Sequence, residues 1–133
     1  MTAPSQKSLS AREEEIGKAV VQAAFVVHKA LGPGLLESVY EPCFCHELEK
    51  AGYALQRQVK VPIVYDGVSF SEGFRIDVLV EDLIICELKA AEVNHSVYLA
   101  QLLTYLKLTD RHLGYIINFN VSLIKYGLQR VVR

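Results

Sequence analysis

Tryptophan is absent from this 133-residue chain, and cysteine, proline and methionine are scarce. The three cysteines, Cys43, Cys45 and Cys86, are an odd number without Cys-x-x-Cys spacing, which argues against a disulfide framework and against a zinc or iron–sulfur site. We expect buried, reduced thiols at Cys43 and Cys86. The chain also lacks repeats, low-complexity tracts and an internal linker, so we predict one domain over residues 10–133 after a disordered lead-in at residues 1–9.

An excess of charge of one sign is also missing, because 14 Lys and Arg face 15 Asp and Glu for a net charge of −1. This balance excludes a protein that coats nucleic acid through bulk positive charge, so any such contact must be local, with a divalent ion supplying part of the positive field. No apolar run approaches bilayer length and the N-terminus lacks a secretory pattern, so we expect a cytoplasmic protein without a membrane partner. The hydrophobic fraction of 51% leaves room for a homodimer interface.

Apolar periodicity predicts two helices, a group of strands, a third helix and two further strands. The predicted helices span about Ala11 to Leu31, Leu36 to Gly52 and Ser96 to Leu108; the extended segments are Leu55 to Val64, Val68 to Glu72, Phe74 to Val80, Leu83 to Lys89, His112 to Phe119 and Leu128 to Val132. Asp66-Gly67 predicts a tight hairpin turn between the first two strands. The order favours an α/β fold with a mixed central sheet flanked by helices, in which the third helix joins two strands in parallel.

Two acids and one lysine stand on adjoining apolar strands: Asp77, then Glu87 and Lys89. Side chains alternate along a strand, so Glu87 and Lys89 share one face and Leu88 turns inward. For an arbitrary match of this kind, a solvated polar face would be the better interpretation. The run Ile84-Ile85-Cys86 favours a metal site instead, because it is typical of a strand covered on both faces, where charges are costly unless paired or bound to metal.

Strand register tests whether Asp77 and Glu87 can hold one ion. A two-residue turn at Glu81-Asp82 would place Asp77 opposite Cys86 and leave Glu87 on the wrong side of the sheet. A three-residue connection, or a β-bulge near the carboxylates, places Asp77 opposite Glu87. We therefore predict an odd-numbered loop or a bulge.

Two further motifs lie on helices. Gly34-x-x-Glu37-x-x-Tyr40 spans the entry to the second helix, where the helix dipole alone explains Glu37 and core packing explains Tyr40. The functional interpretation makes Glu37 a third carboxylate near the ion, directly or through water. Gln101 and Tyr105 lie one turn apart on the third helix; alone they are a surface pair, although the Gln amide could also contact a phosphate, a base or water.

Other polar residues are weaker candidates. His28 is better explained by packing or capping than by proton transfer, because it has no identified partner. Lys60 and Arg75 could contact phosphates, and a solvated strand face explains them equally well.

Taken in order, Asp77, Glu87-Leu88-Lys89 and Gln101-x-x-x-Tyr105 resemble the motifs of the PD-(D/E)XK nuclease superfamily, particularly its RecB-type branch. Gly34-x-x-Glu37-x-x-Tyr40 resembles the signature of the small GxxExxY family within it. The resemblance extends from about Ile16 to Val132, and Ile76 stands where the superfamily name has proline. It implies a single-domain, restriction-endonuclease-like core.

The resemblance also implies a role for each motif residue. Asp77 and Glu87 would hold Mg²⁺ or Mn²⁺ with the Leu88 carbonyl, and Glu37 would complete the acidic cluster. Lys89 would orient or help to deprotonate the attacking water and stabilise the developing charge. The substrate-contacting residues would be Tyr40, Gln101 and Tyr105. The implied substrate is nucleic acid, DNA foremost, and the alternative is a catalytically silent binding or regulatory module.

Overall fold

The computed structural model describes residues 8–133, which form three helices and a five-stranded sheet. In chain order the elements are α1 (Ala11–Leu31), α2 (Glu37–Lys50), β1 (Leu55–Tyr65), β2 (Val68–Val80), β3 (Ile84–Lys89), α3 (Ser96–Leu108), β4 (Leu113–Asn118), a short 3-10 turn (Ile124–Tyr126) and β5 (Leu128–Val132). The mixed α/β fold predicted from the sequence is confirmed. The predicted lead-in lies mostly outside the described residues; of its last part, Leu9 packs partly buried against the core.

Helix α1 begins where local chemistry predicts. The Ser10 side chain accepts a hydrogen bond from the Glu13 N–H, and the Glu13 carboxylate accepts one from the Ser10 N–H, which completes a capping box. His28, near the other end of the helix, is buried, and its Nε2 lies 2.8 Å from the Val121 carbonyl oxygen. The packing interpretation of His28 is therefore confirmed.

The sheet has the strand order β1-β2-β3-β4-β5. Only β3 and β4 are parallel, and α3 makes the crossover between them, as the sequence predicts. Both faces of the central strands are covered: Ile84 and Cys86 face α1 and α2, while Ile85 faces α3. This double burial explains the uninterrupted apolar run in β3. No helix within residues 8–133 is long and apolar enough to cross a membrane.

Helix α2 packs on the core through Tyr40, Phe44 and Leu48, with Glu41 and Cys45 buried beside them, while Val39 and Ala51 are exposed. The buried Glu41 carboxylate is paired with Arg57 on β1. All three cysteines are free, as predicted. The buried thiols are those of Cys45 and Cys86, and the predicted burial of the Cys43 thiol is wrong in degree, since it is only half-buried.

Strands β1 and β2 form a longer hairpin than expected, because the two segments predicted over 68–72 and 74–80 are one strand. The Asp66-Gly67 turn has both residues at positive φ, which is the backbone of a tight two-residue hairpin. A register shift interrupts the pairing between Val61 and Ile63. Gly73 lies in this irregular stretch, where an added Cβ would lie 2.1 Å from the Ile63 side chain.

Candidate active site

Strands β2 and β3 diverge just beyond the Val78–Cys86 pair, and this point, here called the fork, brings Asp77 and Glu87 together. β2 ends at Val80 and β3 begins at Ile84, so the connection has three residues and the predicted register is confirmed. Continued by one residue beyond the Val78–Cys86 pair, this register sets Asp77 opposite Glu87. The regular β2–β3 pairing stops before that position.

At the fork, hydrogen bonds from backbone N–H groups to carboxylate side chains replace the backbone–backbone hydrogen bonds of the sheet. The Asp77 N–H donates to Oε2 of Glu87 at 2.8 Å, and the Leu88 N–H donates to Oδ2 of Asp77 at 2.9 Å. One oxygen of each carboxylate is thus fixed by a backbone donor. The second oxygens, Oδ1 of Asp77 and Oε1 of Glu87, retain lone pairs for another ligand.

A hydrogen-bond network beside Asp77 involves three residues that the sequence interpretation missed, namely the buried Glu41 and the exposed Arg57 and Gln58. Glu41 accepts hydrogen bonds from Nε of Arg57 at 2.9 Å and from Nε2 of Gln58 at 2.6 Å. The same Gln58 amide lies 3.5 Å from Oδ1 of Asp77, and Gln58 has a left-handed backbone with φ of 53°. Glu41 follows Glu37 by one helical turn, a spacing that could have pointed to it. Nothing in the local sequence marks the left-handed conformation of Gln58.

The electrostatics of the site are those of an excess of negative charge. Burial, and then the charge of Asp77, raise the pKa of Glu87 to about 8. Burial also raises the pKa of Asp77, although the Leu88 N–H and Lys89 act in the opposite direction. Burial and then Asp77 raise the pKa of Glu37. Burial is the largest cause of each shift, so the charged forms of these carboxyl groups are disfavoured unless a cation binds beside them.

Lys89 lies at the end of β3, where Tyr98 from α3 supports it. Its Nζ is 4.7 Å from the centroid of the Tyr98 ring, a cation–π contact that holds the ammonium beside the acids. Tyr98 was missed by sequence reasoning, because no spacing rule links it to Lys89. Tyr105, one of the predicted residues, is stacked on Phe74 with ring centroids 4.2 Å apart. Burial, then Glu87 and Asp77, raise the pKa of the Tyr105 hydroxyl, which places that hydroxyl within electrostatic range of the acids.

The Gly34-x-x-Glu37-x-x-Tyr40 motif builds the helix entry that positions Glu37. Gly34 has φ of 97°, which a residue with a Cβ rarely adopts. The Tyr40 hydroxyl donates to the Gly32 carbonyl oxygen at 2.6 Å and accepts from the Leu35 N–H at 3.1 Å, while its ring stacks on Phe119. Tyr40 is completely buried. It therefore stands behind the site, as the core interpretation predicted, and offers no surface to a substrate.

The remaining predicted residue, Gln101, is half-buried one turn before Tyr105 on α3. The turn that carries the chain from Lys89 into α3 is fixed by Asn118, which sequence reasoning missed. The buried Asn118 side chain accepts from the Ala91 N–H and donates to the Ala91 carbonyl and to Asn94, at 3.1, 3.0 and 2.9 Å. These hydrogen bonds fix the conformation of the connection between Lys89 and α3.

The donor set fits a hard divalent cation. Carboxylate oxygens are the ligands that Mg²⁺ prefers, and Mg²⁺ is usually held by one or two carboxylates together with waters and substrate phosphates. Within residues 8–133, no three His, Cys, Asp or Glu side chains are already grouped as a metal-binding set. The predicted cluster of three acids is thus not assembled; the structure brings together Asp77 and Glu87, with the exposed Glu37 nearby.

The sequence matches the family model described as the PD-(D/E)XK nuclease superfamily over residues 14–131. The chain therefore belongs to the PD-(D/E)XK nuclease superfamily. A comparison with curated proteins and one with solved structures each gave no match.

Proposed function

We propose that the protein is a metal-dependent nuclease that hydrolyses phosphodiester bonds in nucleic acid, with DNA as its substrate. The observation that carries this proposal is the fork, where Asp77 and Glu87 each present one oxygen that no backbone donor occupies. Burial, and then the charge of Asp77, raise the pKa of Glu87 to about 8, and a cation bound by both carboxylates would favour their charged forms. Superfamily membership supplies the reaction class.

Each residue has a defined task in this proposal. Oδ1 of Asp77 and Oε1 of Glu87 hold Mg²⁺ or Mn²⁺, with the Leu88 carbonyl as a further ligand. When bound, such an ion polarises the phosphoryl oxygen and lowers the pKa of a coordinated water. Lys89 orients the attacking water and stabilises the negative charge that develops on the phosphoryl oxygens. Tyr98 keeps the ammonium in place through the ring contact.

Glu37 is exposed at the rim of the site and would act on the ion directly or through water. Asp77 and Lys89 both affect the pKa of its carboxyl group, which supports a position close to the two fork acids. Gln101 and Tyr105 line the substrate channel from the α3 side. The helix entry formed by Gly34, Glu37 and Tyr40 supports assignment to the GxxExxY group within the superfamily.

A catalytically silent nucleic-acid-binding module is the second candidate. It is favoured by one observation, namely that the acids of residues 8–133 do not form a ready group of three ligands. Such a module would bind nucleic acid without hydrolysing it. The two candidates therefore differ in turnover, not in fold.

Lys89→Met is expected to lower metal-dependent cleavage about 100-fold while leaving the fold intact, because Met keeps the apolar stem against Tyr98 and removes only the charge that stabilises the transition state. The measurement is cleavage of single- and double-stranded DNA and RNA in Mg²⁺ or Mn²⁺. Lys107→Met, an exposed change in the last turn of α3, is the matched control and should retain wild-type rates.

Cleavage that is equal in the wild type and Lys89→Met would point to a contaminating nuclease and contradict the assignment. Binding of DNA with no cleavage under any metal condition would favour the silent module.

A further inference from the structure

Beyond the fork, β1 and β2 continue as a two-stranded arm that runs from the Val59–Ile76 pair to the Asp66-Gly67 turn. Among residues 8–133, β3 pairs with β2 only over 78–80, so no described strand pairs with the arm on that side. The six steps from Val59 to Tyr65 correspond to about 20 Å at the rise of a strand. The arm therefore extends well past the catalytic acids.

One face of the arm is apolar along its whole length. Register and alternation place on this face the following residues, here called the apolar strip: Val61, Ile63 and Tyr65 on β1, and Phe74, Phe70 and Val68 on β2. The inner end of the strip packs on α3, where Phe74 stacks on Tyr105. At the outer end, Phe70 is 52% exposed, Val68 54% and Tyr65 73%. The strip thus leads directly from a residue of the candidate site into solvent.

The charge of the molecule restricts what this strip can bind. Neutralising the phosphates of a long duplex requires many cations, and the chain has a net charge of −1. At the base of the arm, Lys60 lies directly opposite Arg75, and like charges in that relation are destabilising without a compensating partner. Lys60 has such a partner in Glu72, at 3.2 Å. By alternation Lys60 and Arg75 project from the face opposite the strip, and they border it only at Phe74, with which they and Glu72 line one cavity. Exposed aromatic rings with so little positive charge suit a single strand, because bases stack on aromatic side chains with little dependence on sequence.

We infer that the apolar strip beyond Phe74 is a stacking surface for unpaired bases, on Phe70 and Tyr65, and that the substrate class is single-stranded nucleic acid or a duplex with an unpaired end. This inference rests on the proposed function, which it makes more specific. The scissile phosphate lies at the fork, and the unpaired nucleotides beside it run along the strip. Lys60 and Arg75, which border the strip at Phe74, serve the phosphates of the same strand.

The test is binding of a fluorescein-labelled oligothymidylate of about 20 nucleotides, measured by anisotropy in Mg²⁺ with the slowly cleaving Lys89→Met variant as the background. In that background, Phe70→Ala and Tyr65→Ala are each expected to weaken binding about 5- to 100-fold. Tyr65→Phe keeps the ring and should restore binding. Binding of a blunt duplex of the same length should change less than about twofold, because its bases are already stacked.

Two matched controls separate stacking from loss of apolar surface in general. Val64→Ala changes an exposed apolar residue at the tip of the same hairpin, on the opposite face of β1 from Tyr65. Phe25→Ala removes an exposed aromatic ring on α1, far along the chain from the arm. Both variants should bind the oligothymidylate like their background.

A second copy of the chain is the competing occupant of the strip, and sedimentation equilibrium distinguishes it. A wild-type dimer that Phe70→Ala converts to a monomer, with binding per protomer unchanged, would overturn the inference. Unchanged binding by both ring variants in a protein that cleaves in Mg²⁺ would also overturn it and leave the nuclease proposal intact. Ring-dependent binding in a wild type that never cleaves would support the strip and contradict the nuclease. A wild type with no affinity for the probe would overturn both.

Discussion

Asp77→Asn is expected to reduce metal-dependent cleavage by about 1,000-fold or more, because it removes the charge of one of the two carboxylates available to the ion. The Asn carbonyl oxygen can still accept the hydrogen bond from the Leu88 N–H, so the fork should keep its shape. Single-turnover cleavage at saturating Mg²⁺ measures the chemical step, and circular dichroism confirms the fold.

Asp110→Asn is the matched control for this change. Asp110 is exposed after the end of α3 and has φ of 52°, a conformation that Asn tolerates well. Its cleavage rate should remain within about twofold of wild type. A rate for Asp77→Asn close to wild type would show that the fork acids are not the metal ligands of the reaction.

The metal-free protein is expected to lose stability as pH rises from about 4.5 to about 8. Burial, and then the charge of Asp77, raise the pKa of Glu87 from 4.5 to about 8, so over this window the folded state binds more protons than the unfolded state. Unfolding free energy must then decrease with increasing pH and level off above the window. The loss should be on the order of 2–5 kcal/mol, which corresponds to a decrease of roughly 10 °C or more in Tm for a domain of this size.

Glu87→Gln should remove most of this pH dependence, since Gln remains neutral and its carbonyl oxygen can accept the hydrogen bond from the Asp77 N–H. Glu49→Gln, an exposed change on α2, should follow the wild-type curve. Thermal melts in EDTA between about pH 5 and 9 provide the measurement. At the upper end of this range, replacing EDTA with Mg²⁺ should raise the Tm of the wild-type protein. A wild-type curve that rises with pH across this window would contradict the described charge balance.

Local chemistry accounts for much of the fold. The capping box at Ser10, the Asp66-Gly67 turn and the apolar run in β3 each act through residues close in sequence, so their structures were predicted. The burial of Glu41 was not, because its partner Arg57 lies 16 residues away in sequence. The continuous arm was also missed, since it requires the Ile63 side chain to pack where Gly73 has no Cβ.

The candidate site likewise has features that follow from local sequence and features that depend on tertiary contacts. Strand alternation and loop length are sufficient to bring Asp77 opposite Glu87, and the three-residue connection confirms that part. The supporting contacts of Gln58 and Tyr98 depend on tertiary placement and on a left-handed backbone that no short-range rule predicts. For Tyr40, the motif spacing identified the residue, but it did not decide between a substrate contact and a core position, and the side chain is completely buried.

Anomalous diffraction from a crystal soaked in Mn²⁺ tests the central claim most directly. We expect one strong peak at the fork, within about 2.0–2.3 Å of both Oδ1 of Asp77 and Oε1 of Glu87, and its loss in Asp77→Asn. A saturating soak that leaves the fork without anomalous density, or that places the ion away from these two oxygens, would contradict the account.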